Sequence, residues 1–392
     1  MRLEYTPEQV ELRAELRAFM AELMTPELDR ELIETHGGGP LYMAAMKKLG
    51  DANWLGIGWP KEHGGLGRGS VDQFIFFDEV QRVGFPVPIL TLSTVGPTLL
   101  KFGTEEQKTF YPPKILRGEC HFSIGYTEPG AGTDLASLRT SAVLDGDEWV
   151  INGQKIWTSL ADHADYMWLA CRTDPDAKAH KGISMIIIPL DTPGVQVTKM
   201  HALGDNNTHA VYYDNVRVPK SNLVGDLHGG WRLITTQLNH ERVALNACGP
   251  IDRITTEVGE WAAETPSGQG GNVIDLPWVR ANLAKVDAKL EALELMNCRQ
   301  AWAIDSGDLG MADASAIKVY GSEFYVEASR LLMEVLGAVG PLYDESAGAA
   351  LGGELERFYR SSLVLTFGGG VNEVQRDIIA MAGLGLPRMG RS

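Results

Sequence analysis

The fold is decided near the middle of the chain, where residues 126–134 read YTEPGAGTD and residues 152–159 read NGQKIWTS. Two dipeptides typical of tight hairpin turns lie in the same region, Asp-Gly at 145–146 and Asn-Gly at 152–153. The residues that flank them alternate in polarity or are β-branched, as in strands. The sequence therefore predicts β-hairpins in this part of the chain.

Two further strands and the flanking segments divide the chain into three parts. Residues 182–188 read as a buried strand and residues 209–218 as another. We therefore predict a central β domain over residues 121–228, an N-terminal α-helical domain over residues 1–120 and a C-terminal helical bundle over residues 229–392. The expected fold class is α+β and multidomain, in the order α, β, α.

Helical signals dominate both ends of the chain. Residues 6–9 read TPEQ, which is a capping box with proline at the first helical position, and a second helix start is expected at residues 104–108. In the C-terminal part, apolar residues recur at helical spacing, which predicts long antiparallel helices in a bundle. This stripe comprises Val279, Leu283, Val286, Leu290 and Leu293.

Composition and charge describe an ordinary globular protein. The 392 residues are 44% hydrophobic and 22% charged, and the formal net charge is −16. Such a charge argues against a broad nucleic-acid or anionic-membrane surface, although a few local cations can still bind an anionic small molecule. No apolar run approaches the roughly 18 residues of a membrane span, and no secretory signal is visible. A cytoplasmic protein is expected.

Cysteine and glycine spacing exclude two kinds of site. The four cysteines lie far apart and form no CxxC pair, so reduced thiols and no metal site are expected. A nicotinamide-binding Rossmann fold needs G-x-G-x-x-G between a strand and a helix, which the glycines at 337–340 and 368–370 do not provide.

One acidic residue lies on an apolar helical stripe. Ile234, Leu238, Glu241 and Leu245 share a face at helical spacing. Burial would raise the pKa of Glu241 toward the range of a general base. Alternatively, Glu241 is a structural residue at the edge of this face or the ion-pair partner of a buried arginine such as Arg242.

A set of motifs along nearly the whole chain resembles the acyl-CoA dehydrogenase family. The resemblance implies that family's fold, with an N-terminal helical domain, a β-barrel-like central domain and a C-terminal four-helix bundle. The matching segments are residues 58–67, 103–108, 126–134, 152–159 and 214–219, followed by the helix that carries Glu241.

The resemblance implies FAD as cofactor, bound between the β domain and the bundle near Trp157. Short hydroxyls such as those of Thr127 and Ser159 would then lie against the flavin ring and stabilise its charge on reduction. Ordinary turn chemistry for these hydroxyls, and a core position for Trp157, are the alternatives. The expected cofactor contacts are Tyr126, Thr127, Gly132, Thr133, Trp157, Thr158 and Ser159.

The reaction implied is α,β-dehydrogenation of an acyl-CoA thioester. Many family members carry the base in a loop that matches residues 366–373, where the catalytic position here is Gly369. Members similar to isovaleryl-CoA dehydrogenase carry it at the position of Glu241, which makes Glu241 the expected base and Glu373 a second choice. The Gly369 N–H and a ribityl hydroxyl of FAD would bind the thioester carbonyl. Asn239 and Arg242 match substrate-lining positions, though Arg242 could equally be a structural partner.

Two departures from the family pattern indicate a shared active site. The Arg-x-x-Phe-Gly motif that binds the FAD diphosphate of a neighbouring subunit is missing from residues 261–268, and a usual glutamine is Glu334. This combination resembles actinobacterial dehydrogenases of steroid side-chain degradation, which are α2β2 heterotetramers. A second dehydrogenase-like subunit and a substrate of steroid side-chain β-oxidation are therefore expected. The glycines at 368–370 would leave room for a bulky acyl group, and the family resemblance implies an electron-transfer flavoprotein as acceptor.

Two other functions stay open from the sequence. One is a flavin-dependent acyl-CoA oxidase or hydroxylase with the same fold. The other is a non-catalytic structural subunit of a heteromeric dehydrogenase. The sequence leaves the acyl chain length and the identity of the partner undetermined.

Overall fold

The structure is a computed structural model. For residues 238–240 it describes the backbone alone. The described residues are 4–35, 37–204, 207–240, 246–344 and 346–387.

The N-terminal part is helical, and its helices begin where the sequence places their caps. The Thr6 hydroxyl accepts a hydrogen bond from the Gln9 N–H at 3.3 Å, and the Gln9 side chain accepts one from the Thr6 N–H at 3.0 Å. Thr104 and Gln107 form the same reciprocal pair, so both predicted helix starts are confirmed. The helices are α1 (Pro7–Leu23), α2 (Pro26–Thr35), α3 (Pro40–Asp51), α4 (Ser70–Arg82), α5 (Gly96–Phe102) and α6 (Glu105–Leu116).

The central part is one sheet of mostly antiparallel strands. Its order is β6-β7-β3-β2-β4-β5-β8, and β1 pairs in parallel with β4. Asp145 pairs with Glu148 across the β2–β3 turn, which confirms the predicted hairpin at 145–146. The strands are β1 (Phe122–Gly125), β2 (Ser141–Asp145), β3 (Glu148–Ser159), β4 (Tyr166–Arg172), β5 (Ile183–Pro189), β6 (Val195–Met200), β7 (Thr208–Pro219) and β8 (Leu223–Val224).

The predicted hairpin turn at Asn152-Gly153 is wrong. Both residues lie inside β3, at a register shift against β7 between Ile151 and Gly153. Gly153 has φ 145°, and a Cβ there would lie only 2.7 Å from the Thr140 Cα. The glycine therefore permits a close approach of two chain segments within the sheet.

The C-terminal part is a helical bundle around α9 and α10. Val279, Val286 and Leu293 are fully buried and Leu283 and Leu290 half-buried, which confirms the predicted stripe. The helices are α7 (Gly230–His240), α8 (Gly249–Glu264), α9 (Pro277–Ser306), α10 (Met311–Leu336), α11 (Glu354–Ser362) and α12 (Asn372–Ile378). Within the described residues, none of these helices has the length and apolar character that a membrane span needs.

The three parts pack against one another through shared cores. Phe74 of α4 belongs to the apolar core of the bundle, and Ile234 of α7 packs into the core of the N-terminal helices. The buried Asp78 carboxylate accepts the N–H groups of Cys248 and Gly249 at 2.7 and 2.8 Å, where α8 begins. The predicted α, β, α order is confirmed, whereas the division at residues 120 and 228 stays a prediction.

Candidate active site

A bulge in β3 presents Trp157 at the surface of the sheet. Lys155 pairs with Val211 and Thr158 with His209, so β3 holds one more residue than β7 between these two pairs. Trp157 has φ 58°, and its side chain is 55% exposed. The left-handed conformation costs a non-glycine residue roughly 1–2 kcal/mol. Strained residues of this kind cluster at functional sites, where their surroundings hold them.

The loop that follows β1 holds the bulge in place. The Ile156 N–H donates to the Thr127 carbonyl at 2.9 Å. The buried Lys155 ammonium donates to the Tyr126 carbonyl at 3.0 Å and to Glu128 Oε1 at 2.8 Å. Both motifs found in the sequence are thus joined in one structural unit.

Glu128 is the polar centre of this unit. Besides Lys155, it accepts the backbone N–H groups of Arg139 at 2.7 Å and Thr140 at 2.9 Å. Burial alone would raise the pKa of this carboxyl, but Lys155 and the hydrogen bonds lower it below its usual value. Glu128 is therefore ionised at neutral pH. Sequence reasoning singled out neither Glu128 nor Lys155, although both lie inside the quoted motifs.

The expected cofactor residues differ in exposure but share one neighbourhood. Trp157 and Ser159 are exposed, whereas Thr158 is buried and its Oγ1 has no hydrogen-bond partner among the described residues. Gly132 and Thr133 are exposed in the loop after Glu128, with no other heavy atom within 4 Å of a Cβ built at Gly132. An exposed indole, an unpartnered hydroxyl and an open glycine loop fit a flat, polar cofactor such as a flavin.

Helix α7 is tied to the same loop. The Tyr126 hydroxyl donates to Gln237 Oε1. Gln237 is fully buried, and its Nε2 has no partner among the described residues. Sequence reasoning missed Gln237, although it lies three residues after the buried Ile234 on the same helical face. The pattern that singled out Glu241 could therefore have found it.

The expected base and substrate residues lie at the edge of what the structure describes. Glu241 and Arg242 lie outside the described residues, as does the Asn239 side chain. The described residues on either side make specific contacts. Gln237 contacts the Tyr126 loop, and Asn246 lies against α10, where it fills the space that a side chain at Gly321 would need.

A glycine turn leads into α12. Gly369 has φ 65° and Gly370 has φ 101°, conformations that glycine adopts without strain. The Gly368 N–H donates to the Val364 carbonyl at 2.6 Å, and the Gly369 N–H has no hydrogen-bond partner within the described part of the chain. Glu373, the second-choice base, is exposed in the first turn of α12. The turn thus offers a free backbone donor but no acidic side chain at position 369.

A basic cavity lies at the N-terminus of α7. Its volume is about 570 Å³, and its lining includes His180, Lys181, His228, Trp231 and Arg232. The positive charges of Lys181 and Arg232 lie beside the positive end of the α7 dipole. This combination can attract an anion, although the chain as a whole has a net charge of −16. Sequence reasoning missed it, because its residues come from two segments about 50 positions apart.

The region of the missing diphosphate motif holds no substitute for it in the described structure. Residues 261–264 end α8, and a short turn follows. Glu334 is exposed near the end of α10 and accepts a hydrogen bond from Asn282 at 3.0 Å.

Among the described residues, no group of three or more His, Cys, Asp or Glu side chains could hold a metal ion.

Known proteins share this architecture over the full chain. Family descriptions match three consecutive segments: "Acyl-CoA dehydrogenase, N-terminal domain" at residues 6–119, "middle domain" at 123–216 and "C-terminal domain" at 228–384. Acyl-CoA dehydrogenase FadE26 of Mycobacterium tuberculosis is 52% identical, and the comparison covers all of both chains.

Two solved structures resemble the chain closely. The first is a chain of the ChsE4-ChsE5 complex from Mycobacterium tuberculosis, with a TM-score of 0.92, 53% identity and coverage of 99% of this chain and 100% of that chain. The second is a chain of the Tcur3481-Tcur3483 steroid ACAD, with a TM-score of 0.93, 51% identity and the same coverage. The fold that the resemblance predicted is confirmed, and the chain belongs to the acyl-CoA dehydrogenase family of flavoenzymes.

Proposed function

We propose that this chain carries out FAD-dependent α,β-dehydrogenation of an acyl-CoA thioester, with Glu241 as the base that removes the α proton. The observation that carries this proposal is the strained, exposed Trp157, because its loop is tied through Tyr126 and Gln237 to the helix leading to Glu241. The loop proposed to contact the cofactor and the helix that precedes Glu241 are thus connected by a hydrogen bond.

The residues around the β3 bulge fit FAD. Bound there, FAD would accept the hydride that leaves the β carbon. Trp157 has an exposed aromatic ring, and the buried Thr158 Oγ1 has no hydrogen-bond partner among the described residues. The residues proposed to hold the cofactor are Tyr126, Thr127, Gly132, Thr133, Trp157, Thr158 and Ser159.

The contacts of the flanking residues support Glu241 as the base. Gln237 is bound to the cofactor loop, whereas Asn246 packs against α10, the helix whose Lys318 contacts the glycine turn. Glu241 thus lies in the sequence between a residue bound to the cofactor loop and a residue packed on α10. A carboxylate in this segment is our candidate for the base that removes the α proton.

The glycine turn would complete the substrate site. Removal of the α proton places negative charge on the thioester oxygen, and a backbone N–H at that oxygen stabilises it. The N–H of Gly369 is free for this role within the described structure. Asn239 and Arg242 are proposed to line the path of the pantetheine arm beside the base.

The basic cavity suits the nucleotide end of coenzyme A, which carries several phosphate charges. Lys181 and Arg232 supply cations, and the α7 N-terminus adds the positive end of the helix dipole. From Gly230 to His240 the helix runs about 16 Å. A long arm lying along α7 could thus connect phosphates at one end with a thioester near the other.

The substrate and assembly follow from the similar proteins and the glycine turn. One similar structure is a steroid ACAD, and both similar structures are complexes of two differently named chains. From this likeness and the absence of an acidic side chain at position 369, we propose a bulky substrate, a steroid side-chain acyl-CoA. A second dehydrogenase-like subunit would supply the FAD diphosphate contacts that residues 261–268 lack, completing an α2β2 heterotetramer.

The cellular setting is proposed from the chemistry of the chain. An electron-transfer flavoprotein would reoxidise the enzyme. The four cysteines are free thiols, three of them buried, which suits the reducing cytoplasm.

The decisive experiment replaces the base. Glu241→Gln should lower the rate of flavin reduction by an acyl-CoA about 10²- to 10⁴-fold, with FAD and acyl-CoA still bound. Glu373→Gln is the matched control and should retain full activity. Full activity of Glu241→Gln together with inactivity of Glu373→Gln would move the base to α12.

Two further measurements address the other functions and the assembly. Anaerobic reduction followed by slow reoxidation in air supports a dehydrogenase, whereas rapid reoxidation with peroxide formation would indicate an oxidase.

Expression with and without a co-purifying dehydrogenase-like chain tests the assembly. A stable homotetramer with one FAD per chain would disprove the two-chain arrangement.

A further inference from the structure

We propose that Lys318 and Asn372 are positioning residues that hold the glycine turn, so that the Gly369 N–H stays aimed at the substrate carbonyl. This inference rests on the proposed role of that N–H. Neither residue belongs to the proposed contacts with FAD and substrate, although Asn372 lies within the 366–373 segment that matches the family's base-carrying loop.

Lys318 occupies a place where a lysine is costly. Its side chain lies on α10 and is only 3% exposed, and burial of an ammonium without hydrogen-bond partners is strongly unfavourable. Its Nζ donates to the Gly370 carbonyl at 2.6 Å and to Asn372 Oδ1 at 2.6 Å. Both acceptors lie just after Gly369. The long side chain thus reaches from the helix to the turn and binds its backbone directly.

Asn372 extends the same network back to α10. It is also 3% exposed, and its Nδ2 donates to Ser322 Oγ at 3.0 Å and to Glu323 Oε1 at 3.2 Å. Arg376, one turn further along α12, donates to both oxygens of Glu323 at 2.7 and 2.8 Å. The C-terminal side of the turn is therefore fastened to α10 by several independent hydrogen bonds.

The N-terminal side of the turn is held separately. The Gly368 N–H is bound to the Val364 carbonyl, so the 368–369 peptide lies between two fixed points. Three consecutive glycines have more accessible backbone conformations than any other tripeptide, and without external contacts their N–H directions would spread widely. Because catalysis by a hydrogen-bond donor depends on a preorganised direction, a clamp on these glycines affects rate more than binding.

The test uses the flavin-loaded enzyme purified with its partner chain. Lys318→Met keeps the length of the side chain and removes its donors, and Asn372→Ala removes the second member of the network. Lys318→Arg restores a cation. Lys289→Met is the control. Lys289 lies on α9, and its ammonium binds Glu327, which lies on α10 as Lys318 does. Among the described residues, Lys289 has no contact with the turn.

Four quantities separate positioning from general stability. They are the flavin content, the limiting rate of flavin reduction, the substrate concentration that half-saturates this rate, and the apparent pKa of bound 3-oxobutanoyl-CoA. This probe ionises to an enolate whose charge the Gly369 N–H would stabilise. We expect Lys318→Met to keep its flavin, to be reduced about 10- to 100-fold more slowly at little-changed half-saturation, and to raise the probe pKa by about 1 to 2. Asn372→Ala should show smaller shifts of the same sign, Lys318→Arg partial recovery, and Lys289→Met no change.

Different failures have different meanings. If the wild-type enzyme does not promote ionisation of the probe, the proposed role of the Gly369 N–H is wrong and the inference falls with it. If the wild type lowers the pKa of the probe, and Lys318→Met lowers it equally and has the same rate of flavin reduction, only the inference about Lys318 and Asn372 is overturned. Loss of flavin or of assembly in both Lys318→Met and Asn372→Ala would also overturn it, because the network would then serve the stability of the bundle.

Discussion

Trp157 and Gly369 have nearly the same φ, 58° and 65°, yet one carries the largest side chain and the other none. For tryptophan this conformation is strained, whereas for glycine it is unstrained. At the β3 bulge a large side chain is kept despite the strain, which indicates that the indole itself has a function. At the glycine turn the residue has no side chain, which indicates that the backbone N–H is the part that matters.

The two regions are nevertheless held in the same way. In each, a buried lysine reaches across from a regular element and donates to a backbone carbonyl: Lys155 to Tyr126, and Lys318 to Gly370. Lys155 also pairs with the carboxylate of Glu128, whereas Lys318 also binds the amide oxygen of Asn372. Loops that cannot bury enough apolar surface to fix themselves are fixed by charged hydrogen bonds from the scaffold.

Loss of the lysine at the bulge should have the largest effect on stability. Lys155→Met leaves the ionised Glu128 buried without its counter-charge, and we expect a loss of about 3–5 kcal/mol in the free energy of unfolding. Urea unfolding of the flavin-loaded assembly measures it. The double variant Lys155→Met/Glu128→Gln should recover part of the loss, because it removes the unpaired charge and keeps an acceptor oxygen for the Arg139 and Thr140 N–H groups. A single variant as stable as the wild type would show that the pair does not hold this loop.

A side chain at the turn should cost less stability but affect the rate. Gly369→Ala forces alanine to φ 65° at a cost of about 1–2 kcal/mol and should slow flavin reduction roughly tenfold. Gly352→Ala is the matched control, because Gly352 has φ 59° and open space around its Cβ position. The control should show the same destabilisation at an unchanged rate. Equal rates for both variants would mean that the turn does not contact the substrate.

The strain at the bulge can be measured by comparing two substitutions. Trp157→Ala and Trp157→Gly both remove the indole, but only glycine relieves the left-handed strain, so the glycine variant should be more stable by about 1 kcal/mol. Both should bind FAD more weakly, as measured by flavin release on dilution. Unchanged FAD affinity in both would remove the functional reason for the strain and break the comparison with Gly369.

The smallest expected effect concerns Asp78, whose carboxylate binds the backbone N–H groups at the start of α8. Burial raises the pKa of Asp78 from 3.8 to about 6 in the folded chain, despite Arg13 and the N–H groups that it accepts. Because the folded-state pKa is the higher one, the stabilisation is complete below about pH 4 and is lost as pH rises through 6. Between pH 5.5 and 7.5 the wild type should lose about 1 kcal/mol of stability relative to Asp78→Asn. Thermal unfolding of both proteins measures this difference. If their unfolding temperatures changed equally with pH across this range, the assignment would be contradicted.

Local signals accounted for much of the fold. The capping boxes at Thr6 and Thr104, the turn at 145–146 and the stripe along α9 each depend on residues a few positions apart, and all were predictable. The turn predicted at Asn152-Gly153 failed because pairing of β3 with β7 overrode the preference of the dipeptide. Long-range contacts were out of reach: Tyr126 and Gln237 are 111 positions apart, and Lys318 and Gly370 are 52 apart.

The sequence by itself determined the order of helices and strands, the family, and the pairing of an empty position at Gly369 with an acid at Glu241. These features are written in short motifs and periodicities, so they can be read without coordinates. Only the tertiary structure decided that Trp157 is strained and exposed, that buried lysines hold both loops, and that a basic cavity opens at the start of α7. Those properties arise when distant segments pack, because the conformation of a loop depends on partners that its own neighbours do not specify.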